Sequence, residues 1–133
     1  MSNFKFLLFV DDDLASNYYH EYILKDVEIV EETKSFLSSQ EALNFLKSAS
    51  EKGEAKLPDV IFLALNIHEI NGWDFVKEFE KIELEKQPKI IFLSNSSNPD
   101  DKKNAAELNN VIELINKPLT IDYLIGLNSR LAS

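Results

Sequence analysis

Apolar runs alternate with helical stripes along the whole chain. Phe4–Val10 is short, rich in Phe, Leu and Val and closed by aspartates, which predicts a buried strand. Ala15, Tyr18, Tyr19, Tyr22 and Ile23 then fall at i, i+3, i+4, i+7 and i+8, one face of a helix. Residues 27–32 (VEIVEE) alternate weakly, as an edge strand does. Ser38, with Glu41 three positions on, reads as a capping box opening a helix striped by Ala42, Phe45, Leu46 and Ala49 and ended near Gly53. Pro58-Asp59 leads into 60–65 (VIFLAL), the most hydrophobic run, and Phe75, Val76, Phe79 and Ile82 form the next stripe. Lys89–Ser94 is a fourth run. Asn98-Pro99-Asp100-Asp101 starts a helix, with Asn98 as N-cap, proline at the first helical position and acids at the positive end of the dipole. Residues 111–115 (VIELI) make a fifth run, and Thr120 caps a last helix carrying Ile121, Leu124 and Ile125. Five strands alternating with five helices predict a doubly wound α/β domain, its parallel sheet covered on both faces.

Composition narrows what such a domain can do. The 133 residues suit one domain over 1–133 with no output domain. There is no cysteine, which excludes thiol catalysis, thiolate metal sites and disulfides. Twenty-three acidic against fourteen basic side chains give a net charge of −9, a surface that repels phosphate backbones and disfavours nucleic-acid binding. The longest apolar runs are five or six residues, too short for a membrane span of about 20. The start runs straight into three aspartates, as a strand and not a secretory signal, so a cytoplasmic location is expected.

In open α/β sheets ligands bind beyond the carboxyl ends of the strands. The residues following each run therefore matter most: Asp11, Asp12 and Asp13; Ala64, Leu65 and Asn66; Ser94, Asn95 and Ser96; Asn116, Lys117 and Pro118. Carboxylates, a hydroxyl and an ammonium would converge there, a set that suits Mg²⁺ and a phosphoryl group or other small anion. Asp13 reads as an N-cap. Asp11 and Asp12 repel each other as neighbours unless a cation or ligand compensates. Pro118 restricts Lys117 to extended backbone and so fixes where its ammonium points. The acids Glu78, Glu80, Glu83 and Glu85 read as a solvated helix face, and His20 and His68 have no partner at helical metal spacing.

The segments FLLFVDDD (6–13), LPDVIFLALN with INGWDF (57–75), KIIFLSNSSNPDDKKNA (89–105) and INKPLT (115–120) together resemble the receiver domain of two-component response regulators. The resemblance spans essentially the whole chain and implies a CheY-like, flavodoxin-like fold with strand order 2-1-3-4-5. It implies that Asp11 and Asp12, with the backbone carbonyl of Asn66, hold Mg²⁺. Ser94 would bond the phosphoryl group and Lys117 would pair with it, with a cis peptide at Pro118. The phosphorylated aspartate of such domains should follow Phe62-Leu63, where this chain has Ala64. A methyl group cannot attack phosphohistidine or hold an acyl phosphate. His68 replaces a loop proline, and Leu114 replaces the aromatic switch residue. Two origins fit Ala64, a natural pseudo-receiver and an Asp→Ala change; His68 and Leu114 favour the first, and the intact Asp11, Asp12, Ser94 and Lys117 the second.

Two charges about 5 Å apart at an effective dielectric near 20 repel by roughly 3 kcal/mol, so lacking one acid implies a stabler fold and weakened Mg²⁺ binding. The resemblance implies a non-enzymatic module, monomeric or weakly dimeric, that meets a histidine kinase or phosphotransfer protein and a downstream target. The usual contact surface in the family maps to Asp101, Lys102, Lys103, Ala106, Asn110, Glu113, Lys117 and Tyr123. An enzymatic alternative reads Asp11 and Asp13 as the D-x-D of a Mg²⁺-dependent phosphatase similar to the haloacid dehalogenases. A flavodoxin is discarded, because three carboxylates occupy the place of its phosphate loop.

Overall fold

The computed structural model describes residues 3–25, 27–52, 56–95 and 98–132; the expectations at Gly53 and Ser96 lie outside them. The chain alternates β1 (Phe4–Val10), α1 (Leu14–Leu24), β2 (Val30–Phe36), α2 (Ser39–Lys52), β3 (Val60–Ala64), α3 (Gly72–Glu80), β4 (Lys89–Ser94), α4 (Pro99–Ala106), β5 (Val111–Asn116) and α5 (Ile121–Ala132). All neighbouring strands are parallel, in the order β2-β1-β3-β4-β5. This is the doubly wound α/β fold that the alternation of runs and stripes predicts.

The sheet separates two apolar clusters. Beneath α2, α3 and α4, Leu43, Leu46, Phe75, Val76, Phe79 and Ala105 pack on Leu8, Ile61 and Phe92. Beneath α1 and α5, Leu24, Leu124 and Leu127 pack on Leu7, Phe9, Phe62 and Ile91. The five residues of β3 are all buried, which explains why its sequence is continuously apolar. Gly72 opens α3 where an added Cβ would lie 2.9 Å from a Phe92 ring carbon and 3.1 Å from the Leu65 Cα. Only glycine lets α3 start that close to the sheet.

Three expectations are corrected. The second strand is Val30–Phe36 and not 27–32; it is an edge strand whose residues are at most half-buried, so alternation there carries little signal. In α1 the buried residues are Asn17, His20 and Leu24, whereas Tyr18 and Tyr22 are 70% and 75% exposed. The aromatic face of this helix points away from the sheet, and a polar pair takes its place inside. In α5 the buried positions are Leu124, Leu127 and Asn128, with Ile125 outside. The start of α2 also differs in detail. Ser38 Oγ accepts from the Glu41 amide at 3.0 Å, but the carboxylate serving that end is Glu69, which accepts from Ser38 Oγ at 2.7 Å and the Gln40 amide at 3.0 Å.

Candidate functional site

Register brings the strand ends together. Val10 pairs with Leu63, Ala64 with Leu93 and Ser94 with Asn116, so Asp11, Ala64, Ser94 and Lys117 follow one another across the carboxyl edge of four adjacent strands. The Leu65 amide donates to the Leu93 carbonyl at 3.0 Å and the Lys117 amide to the Ser94 carbonyl at 2.9 Å, which extends the ladder past the strand ends. The Lys117–Pro118 peptide is cis. Ala64 and Ser94 are buried; Asp12 and Asn66 are exposed.

Asp11 is buried and charge-compensated. Its Oδ2 accepts from Lys117 Nζ at 2.6 Å and its Oδ1 from the Asp13 amide at 3.0 Å. Lys117 Nζ also donates to Ser16 Oγ at 3.3 Å. Asp12 turns the other way: its Oδ2 accepts from the His68 amide at 3.2 Å and sits 3.0 Å from His68 Nδ1. The His68 side-chain bond holds the Asp12 carboxyl below its usual range. Asp13 caps α1, accepting from the Ala15 amide at 3.1 Å and from Ser16 Oγ at 3.0 Å. The two adjacent acids thus each find a cationic or donor partner within the chain.

Beneath this edge lies His20, fully buried and stacked on Phe9 with ring centres 4.7 Å apart. Burial pushes its pKa down to about 4; the Asp11 carboxylate opposes that shift and the Lys117 ammonium reinforces it. The imidazole is therefore neutral near pH 7. Its Nδ1 and the buried Oδ1 of Asn17 make no hydrogen bond to any described residue. Neither His68 as partner of Asp12 nor His20 as a buried neutral ring is visible in sequence spacing. Their contacts bridge different elements, and the only available signal for His68 is its place in the loop after β3.

The family model for the response regulator receiver domain matches residues 7–127. The chain belongs to that family. Its fold is similar to that of a two-component response regulator from Cytophaga hutchinsonii, at 27% identity and a TM-score of 0.87, covering 98% of each chain. A response regulator receiver protein from Dyadobacter fermentans is 26% identical with a TM-score of 0.82, covering 95% of this chain and 96% of its own. A CheY-like receiver domain from Methylobacillus flagellatus shares the fold at 23% identity and a TM-score of 0.76, covering 96% and 98%. No curated protein matches the chain.

In this receiver the crevice is complete in layout but lacks a carboxylate at the end of β3. The donors present do not fit Mg²⁺ as they stand. Asp11 is held by Lys117 and Asp12 by His68, and no group of three His, Cys, Asp or Glu among the described residues is placed to hold a metal. An octahedral cation taking several oxygens would first have to break both pairs. The phosphatase alternative finds no support: the Asp13 carboxylate is spent on the helix cap and that of Asp11 on Lys117. Leu114 is buried in the core under α4.

On the surface expected to meet partners, Lys102, Lys103 and Ala106 are exposed, Asp101 and Asn110 half-buried. Glu113 accepts from the Tyr123 hydroxyl and, at 3.0 Å, from Arg130 Nη2. Burial opposes ionisation of Glu113, yet those two bonds outweigh it and hold the carboxyl below its usual range. Burial and the Glu113 charge push the Tyr123 hydroxyl up. Tyr123 is therefore tied down within the chain. The larger exposed apolar surface is elsewhere, on α1, where Leu14, Tyr18 and Tyr22 stand at i, i+4 and i+8. None of the helices, among the described residues, is long and apolar enough to cross a membrane.

Proposed function

We propose that this receiver works in two-component signalling through protein contacts, without accepting phosphate at position 64 and without catalysing a reaction of its own. The observation that supports it most is the methyl side chain of Ala64 at the strand end beside a closed Asp11–Lys117 pair. Phosphoryl transfer needs a nucleophilic oxygen in line with the phosphorus, and the Ala64 side chain offers none. Asp11, Asp12 and the Asn66 carbonyl would take Mg²⁺ only after the Asp11–Lys117 and Asp12–His68 pairs open, and so more weakly than the same site with an acid at 64. Ser94 and Lys117 keep their places but have no acyl phosphate to hold. A histidine kinase or phosphotransfer protein and a downstream target would be met, in the cytoplasm, through Lys102, Lys103, Ala106, Asn110, Glu113 and Tyr123.

The test is incubation with acetyl phosphate and Mg²⁺, read by intact-mass spectrometry, for this chain and for Ala64→Asp. The expected result is no added phosphoryl mass here and its appearance in Ala64→Asp. A phosphoryl group on the unaltered chain would overturn the reading by revealing another acceptor. An inert Ala64→Asp would show that more than one residue of the site has lost its function. For the surface, Lys103→Glu and Tyr123→Ala should weaken capture of the cognate partner; unchanged capture removes that assignment.

A further inference from the structure

We infer that the opposite, amino-terminal edge of the sheet carries a binding site for a small oxyanion, a phosphate- or carboxylate-bearing metabolite. This goes beyond the receiver reading and does not depend on it. A cleft of about 380 Å³ opens there, lined by Phe4, Lys5, Asp59, Lys86, Lys89 and Asn128 among others. Its volume falls in the range of small-molecule sites.

Three observations favour an anion. First, charge: on a chain of net −9, three lysines line this cleft against a single carboxylate. Second, that carboxylate is already satisfied. Asp59 Oδ2 accepts from the Lys5 amide at 2.7 Å and the Phe6 amide at 3.2 Å, while Oδ1 takes the Lys86 ammonium. Burial works against ionisation of Asp59, but these bonds prevail and keep its carboxyl below the usual range. Lys86 is thereby neutralised. Lys5 and Lys89 make no ion pair with any described residue. Third, Asn128 on α5 is only 4% exposed, yet its side-chain amide makes no hydrogen bond to a described residue while it lines the cleft. The little of Asn128 that is exposed faces the cleft, so its amide is open to a hydrogen-bonding partner there. An oxyanion between Lys5 and Lys89 would accept from the Asn128 amide and neutralise both cations at once.

The experiment is an NMR titration of the ¹⁵N-labelled full chain with inorganic phosphate and, separately, with citrate, at constant ionic strength. Expected is a saturable shift of the Asn128 side-chain amide and of the Lys5 and Lys89 backbone amides with at least one anion. The arm that saturates identifies the chemistry as phosphate or carboxylate. Lys89→Gln should weaken that affinity about fivefold, the scale of one exposed ionic contact, and Lys5→Gln with Lys89→Gln should abolish saturation. Lys81→Gln, outside the cleft and paired with Glu78, should leave it unchanged. The inference is overturned by linear, non-saturating shifts with both anions, by equal shifts around Lys77 and Lys81, or by an affinity indifferent to Lys5 and Lys89. Any of these would leave Asn128 hydrated by water alone, and none would bear on phosphorylation at the other edge.

Discussion

The two edges of the sheet are built alike and buried differently. Each carries an aspartate that accepts backbone amides on one side and a lysine on the other: Asp11 with Lys117 at the carboxyl edge, Asp59 with Lys86 at the amino edge. At the carboxyl edge the two side chains are 3% and 16% exposed; at the amino edge they are 21% and 54% exposed. Burial, more than the pairing itself, decides what breaking each costs. A desolvated partner left alone cannot recover its water, whereas an exposed one can. The crevice at the carboxyl edge is thus the more sensitive of the two to a lost charge.

The sharpest test of that contrast is Lys117→Met. Removing one member of a buried pair leaves Asp11 as an uncompensated carboxylate, so the variant should lose about 3–5 kcal/mol of unfolding free energy. Urea unfolding should show a lower midpoint with an unchanged slope. A loss below about 1 kcal/mol would mean that the pair is effectively solvated and the contrast empty.

Acid separates the edges by pH window. His20 has a folded pKa of about 4 against 6.5 for an ordinary histidine. Between those values the unfolded chain binds more protons, so stability is full above pH 6.5 and falls as the pH drops toward 4. The loss reaches as much as about 3 kcal/mol from this one ring. His20→Gln should flatten the slope over that window. Asp59, lowered from 3.8, contributes stability that is present above that value and lost only as the pH falls through its lower folded pKa. Thermal melts of the unaltered chain and His20→Gln from pH 7.5 to 3 would show whether the two windows are distinct.

Ala64→Asp places a fourth carboxylate at the carboxyl edge, beside Asp11, Asp12 and Asp13. Without Mg²⁺ it should cost about 1–3 kcal/mol, the scale of like-charge repulsion at close range in a partly screened site. Added Mg²⁺ should recover part of that loss in the variant and change the melting temperature of the unaltered chain much less. Equal responses in both would show that the existing donors bind the cation after all.

These contrasts also mark what the sequence discloses. The three inner strands, β1, β3 and β4, were legible because both of their faces are buried, and a doubly buried strand reads as an unbroken apolar run. Of the two edge strands, β5 keeps a mostly apolar run, whereas β2 was misplaced because its polar-rich, at most half-buried positions leave a weak pattern. The stripe on α1 had the right period and the wrong face: periodicity locates a face but not the direction it points, and here Asn17 and His20 occupy the inner side. At the crevice, strand ends and Pro118 made Asp11, Ser94 and Lys117 visible. The Asp12–His68 contact spans 56 positions, and its partners belong to different loops, so no local rule finds it. Which cation answers which acid is a property of the register, and register appears only when the sheet is assembled.

The smallest effect belongs to the amino edge, and it is informative because it should be small. Lys86→Ala removes the ammonium from Asp59, but the carboxylate retains the Lys5 and Phe6 amides at 2.7 and 3.2 Å and stays partly in water. Backbone donors already satisfy the charge, and solvent screens what remains, so the loss should be no more than about 1 kcal/mol and should shrink further in 0.5 M salt. The carboxylate should also titrate closer to an ordinary aspartate once the lysine is gone, with the amide bonds still holding it low. Following its side-chain carbon by NMR in both forms checks this directly. If Lys86→Ala instead destabilised the chain as much as Lys117→Met, exposure would not be what distinguishes the two pairs. The common element, an aspartate anchored to backbone amides, would then have to carry the strength of both.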